Sequence, residues 1–87
     1  MAPPNADDVR LKRLRMRSWH RGIREMDLIL GRFSDAGLER LSPDLLEALE
    51  LLLSENDHDL YRWITAGGAP ARYEAIVVRI RADCGIG

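Results

Sequence analysis

The sequence predicts an all-α fold: a compact five-helix bundle in a single domain. Three observations carry this. Apolar residues recur at spacings of three and four; single punctuating residues (Gly22, Gly37, Pro43, Gly67-Gly68, Pro70) cut the chain into short segments; and no two segments alternate as paired strands would. With 87 residues there is room for one domain. An apolar fraction of 46% with 31% charged residues suits a soluble globule that folds without metal or disulfides. We expect the helical domain to occupy 9–83, with a disordered tail over 1–8 and a short C-terminal tail over 84–87.

The first helix is expected from Val9 to about Arg21, with Leu11 and Leu14 three apart. Asp7 and Asp8 are placed to cap its amides and favour its positive end. The second runs from Ile23 to about Ala36, where Ile23, Met26, Leu30 and Phe33 form a core-facing stripe and Gly37 supplies a stop. The third has the clearest start. Ser42 is an N-cap, Pro43 takes the first helical position, and Leu41 is placed to staple onto Leu46; Leu45, Leu46, Leu49, Leu52 and Leu53 then make one apolar face.

The fourth helix spans about His58 to Ala66, capped by Asp57 or Ser54 and ended by Gly67-Gly68, with Leu60, Trp63 and Ile64 on its inner side. The fifth, Ala71 to about Arg81, reads two ways. Tyr73, Ile76, Val77 and Ile80 fit a helix, whereas Ile76, Val78 and Ile80 alternate like a strand; a lone strand would lack a partner, which decides for helix.

The net charge of −1 conceals a strong polarity. Between Val9 and Arg24 stand Arg10, Lys12, Arg13, Arg15, Arg17, Arg21 and Arg24 with no acid. Between Asp35 and Asp59 stand eight acids against Arg40 alone. Such separation is expected to steer association with a charged partner. A nucleic-acid reading of the basic first helix is the alternative to be weighed, as is a regulatory interaction module using the same helix. The acidic segment opposes the nucleic-acid reading, because it would repel a polyanion from so small a domain.

Catalytic equipment is sparse. His20, His58 and Cys84 are too far apart for the paired spacing of a zinc site, and there is no phosphate loop, nucleophile elbow or dinucleotide fingerprint. Asp57-His58-Asp59 is better explained by helix capping than by acid-base chemistry. We therefore expect no enzyme, no metal and no stably bound cofactor. A single cysteine, the absence of a secretory h-region and the absence of any long apolar run point to a soluble protein of a reducing compartment, with a bacterial cytoplasm the best fit and no membrane insertion.

What remains distinctive is the break Ser18-Trp19-His20-Arg21-Gly22-Ile23-Arg24-Glu25-Met26-Asp27. Gly22 permits a positive φ or a close backbone approach, Arg21 and Arg24 offer forked donors, and Glu25 falls in the first turn of the next helix. On these grounds alone a docking surface and a plain glycine C-cap are equally good readings.

The segment Arg21-Gly22-Ile23-Arg24-Glu25 resembles the Arg-Gly-x-x-Glu motif of the small flavinylation factors of succinate dehydrogenase, the SdhE and succinate dehydrogenase assembly factor 2 family. A second patch, Asp57-His58-Asp59-Leu60-Tyr61-Arg62-Trp63-Ile64, is similar to that family's Asp-x-Asp-Leu-x-x-Trp-Leu segment, with Ile64 in place of leucine. The resemblance covers roughly Arg10 to Arg81. It implies a five-helix bundle that binds the flavoprotein subunit of succinate dehydrogenase, in some bacteria also fumarate reductase, as a chaperone for covalent attachment of FAD to that partner. Carried over by position, it implies a contact surface of Arg21, Gly22 and Glu25, with Arg24 and Asp27 as neighbours. Trp63, on an apolar helical face, is expected in the core.

Overall fold

Five α-helices follow one another in the computed structural model, which describes residues 6–19 and 24–85. They are α1 (Ala6–Trp19), α2 (Arg24–Gly37), α3 (Pro43–Leu52), α4 (Asp57–Ala66) and α5 (Ala71–Asp83), with a 3-10 turn at Leu38–Arg40. The all-α reading holds, and there is no strand among the described residues. A radius of gyration of 12.7 Å is close to the ~12 Å expected of one compact domain of this length.

The start of α3 is as expected. Ser42 accepts a hydrogen bond from the Leu45 N–H at 3.2 Å, and Pro43 occupies the first turn, where its missing N–H costs nothing. The cap of α4 is Asn56, neither Asp57 nor Ser54: its Oδ1 accepts from the His58 N–H at 2.8 Å. Asp57 and Asp59 instead lie in the first turn, where the positive helix end favours carboxylates. Gly67 closes α4 at φ 84, a left-handed value that suits glycine, and its N–H reaches the Trp63 carbonyl at 2.9 Å. At the N-terminus, α1 takes in Ala6, Asp7 and Asp8, so the two aspartates sit within its first turn rather than ahead of it.

The core is built from the positions the helical stripes select. Leu14, Met26, Leu30, Phe33, Leu49, Leu52, Leu53, Leu60, Ile64, Ile76, Val77 and Ile80 are all buried. Val78 stands 58% exposed between buried Val77 and Ile80, as a helix requires and a strand alternation with Ile76 and Ile80 would not. Trp63 is a core residue, 5.8 Å from the Tyr73 ring. Tyr73 is buried too, with its hydroxyl donating to Glu55 at 2.8 Å. Leu38, on the 3-10 turn that the sequence reading left out, fills the same core. Leu41 and Leu46 are both half-buried against it.

Candidate functional site

Of the five residues selected from the sequence, Arg24, Glu25 and Asp27 lie in the first turn of α2, and Arg21 and Gly22 fall outside the described residues, as do His20 and Ile23. Arg24 and Glu25 are exposed, and Asp27 is half-buried. Met26 between them is fully buried and ties this turn to the core. Glu25 and Asp27 are both acids in the first turn, where the helix end favours them. Neither Arg24 nor Glu25 is in a salt bridge with another described residue, and both are exposed.

This corner is held by contacts that the sequence reading missed. Trp19, the last residue of α1, lays its indole on the backbone of Gly31 in the middle of α2; a Cβ at residue 31 would sit 2.3 Å from two indole carbons. The indole Nε1 donates to Asp35 at 3.2 Å. One turn deeper, Ser34 Oγ donates to Ser18 Oγ at 2.6 Å, and Ser18 Oγ donates to the Leu14 carbonyl at 2.8 Å; both serines are completely buried. The buried Ser34 hydroxyl thus finds its partner on the other helix, which helps fix the register of α1 on α2, because a slip would take Ser18 away from it. The signal in the sequence was Gly31 itself, a glycine inside an otherwise strong helical stripe, which indicates close packing.

Part of the chain's charge polarity is used within the fold. Arg10 pairs with Glu50 on α3, and Arg15 with Glu39 on the 3-10 turn. Arg17 donates to the Glu50 carbonyl at 3.3 Å and to Ser54 Oγ at 3.2 Å. Three arginines of the basic helix therefore stitch α1 to the acidic half of the chain. Part of the polarity is therefore internal, which weakens the case for α1 as a phosphate-binding surface. Glu39, held by its own backbone N–H and then by the Arg15 guanidinium, titrates below the usual carboxylate range.

No group of three or more metal-ligating side chains occurs among the described residues. Cys84 is an exposed thiol at the end of α5, its pKa raised by partial burial and by Asp83. No helix among the described residues is long and apolar enough to cross a membrane.

Comparison with known proteins bears on the chain as a whole. A family model described as "Flavinator of succinate dehydrogenase" matches residues 12–84, from the middle of α1 through the end of α5. The chain belongs to this family. Among similar proteins, the mitochondrial succinate dehydrogenase assembly factor 2 of Kluyveromyces lactis is 43% identical over 58 residues, covering 67% of this chain and 36% of its own length. That of Debaryomyces hansenii is 43% identical over 58 residues, covering 41% of its own length. The FAD assembly factor SdhE of Legionella pneumophila is 33% identical over 64 residues, covering 74% of this chain and 81% of its own. The match thus spans well under half of these yeast relatives and most of the bacterial one. These relatives of the flavinator family are named as assembly factors rather than as catalysts. No solved structure matches the chain.

Proposed function

We propose that this chain docks on the flavoprotein subunit of succinate dehydrogenase and promotes covalent attachment of FAD to it, using the α1–α2 corner as its contact surface. The observation that carries the reading is the pairing of exposed Arg24 and Glu25 with a corner anchored through Trp19, Gly31 and the Ser18–Ser34 pair. Charged groups on a rigid support lose little freedom on binding, so their charge-assisted hydrogen bonds are retained as affinity. Family membership supports the choice of partner.

In this reading Arg21 and Glu25 pair with charged or carbonyl groups of the flavoprotein, Gly22 allows the two backbones to approach closely, and Arg24 and Asp27 flank the contact. The FAD belongs to the partner, and the chemistry of attachment is the partner's own. This chain holds the flavoprotein in an arrangement competent for it, in a bacterial cytoplasm, with fumarate reductase as a second client. The test is covalent flavin on the dehydrogenase flavoprotein, read as fluorescence in a denaturing gel, in cells with and without this protein. The flavin signal should fall severalfold in its absence, and an unchanged signal refutes the assignment.

A further inference from the structure

A second contact surface lies beside the corner. Between the outward side of α2, the 3-10 turn and the last turn of α5 there is an open cleft of about 550 Å³. Its apolar floor includes Leu28, Ile29 and Leu41, and its rim carries Arg32 from α2, Arg40 from the 3-10 turn and Arg79 from α5. Asp83 is the one acid on that rim. All three arginines are exposed, and among the described residues none is in a salt bridge, in contrast with Arg10 and Arg15 of α1. Leu28 is 36% exposed in the first half of a helix whose inner side is fully buried.

We infer that this cleft receives an acidic segment of the flavoprotein, with a carboxylate set between Arg32 and Arg79 and a neighbouring apolar side chain on Leu28 and Ile29. The inference rests on the docking reading above and extends it. Three arginines brought by three elements to one cleft that also has apolar lining are complementary to a short peptide that is both acidic and apolar. The single Asp83 leaves a surplus of two positive charges, suited to one or two carboxylates. Position supports the same partner: Glu25, Leu28 and Arg32 follow at spacings of three and four, so the cleft floor begins about one helical turn, roughly 5 Å, from Glu25 on the same side of α2. A flavoprotein seated on the corner would pass over the cleft.

The experiment is a binding titration of the purified protein against the purified flavoprotein subunit at two salt concentrations. Arg32→Gln with Arg79→Gln should weaken binding by about tenfold or more and flatten its salt dependence, with helical circular dichroism unchanged. Asp83→Asn should tighten binding severalfold, a gain that misfolding cannot produce. A photoreactive cross-linker on Cys84, which lines the cleft, should attach to a flavoprotein segment containing Asp or Glu. Unaltered binding by the double variant, with Glu25→Ala still disrupting it, overturns the cleft and leaves the corner standing. Absence of binding by the unsubstituted protein overturns both. A dimer of this chain that the double variant abolishes would place a second copy in the cleft and would also overturn the inference.

Discussion

Replacing Gly31 by alanine sets two effects of opposite sign against each other. In an isolated helix the change would stabilise by about 1 kcal/mol, because glycine is the poorer helix former. Here the new methyl would lie 2.3 Å from indole Cδ2 and Cε2 and 2.6 Å from Cε3 of Trp19. Carbon contacts settle near 3.5–4.0 Å, so the ring must retreat by more than about 1 Å. Overpacking of this kind costs about 1–3 kcal/mol, and losing the Nε1–Asp35 hydrogen bond adds about 1 kcal/mol. The net expectation is a loss of about 2 kcal/mol after the helix preference is credited, or a melting temperature lower by about 10 °C for a domain of this size.

Thermal unfolding followed by circular dichroism measures it. In a Trp19→Ala background the same substitution should become neutral or stabilising, since the obstruction is gone. A higher melting temperature for Gly31→Ala alone, with Trp19 intact, would refute the packing argument. Because Trp19 ends α1 just before the junction, the variant should also reduce flavinylation of the partner.

The serine pair predicts an asymmetry: Ser18→Ala strands the buried Ser34 hydroxyl and should cost about 1–3 kcal/mol, whereas Ser34→Ala leaves Ser18 bonded to the Leu14 carbonyl and should cost less by chemical denaturation. Ser42→Ala and Asn56→Ala should each lower stability by about 1 kcal/mol through loss of an N-cap, and Asp57→Ala, which leaves the α4 cap in place, should cost less than Asn56→Ala in the same assay. Glu39 should titrate by NMR below 4.5, the ordinary value for its carboxyl. A depressed folded-state pKa contributes stability above the unfolded value that is lost as pH falls through the folded one, so Glu39→Gln should flatten acid unfolding below about pH 4.5.

The bundle was legible in the sequence because each helix announces its inner side by spacing. Met26, Leu30 and Phe33 in α2 and Tyr73, Ile76, Val77 and Ile80 in α5 are buried as their periodicity demands. Caps were less so: Ser42 stands alone before a proline, but Ser54, Asn56 and Asp57 are all competent caps, and only backbone conformation selects Asn56. The sequence placed Arg24, Glu25 and Asp27 at the start of α2 but not the support beneath them. Trp19 and Gly31 are twelve positions apart and Ser18 and Ser34 sixteen, on two different helices, and no local pattern declares which α1 residue meets which α2 residue. The arginine cleft was hidden for the same reason, since Arg32, Arg40 and Arg79 belong to three elements that only the tertiary fold brings together.

The most direct test of the account returns to the junction between α1 and α2. Covalent flavin on the succinate dehydrogenase flavoprotein should be measured in cells carrying this protein unsubstituted, with Gly22→Arg, with Glu25→Ala, or with Tyr61→Ser on exposed α4 as a control. The account predicts that Gly22→Arg abolishes the stimulation and Glu25→Ala reduces it severalfold, both proteins remaining folded and abundant, while Tyr61→Ser matches the unsubstituted chain. Full flavinylation with both junction variants would contradict it.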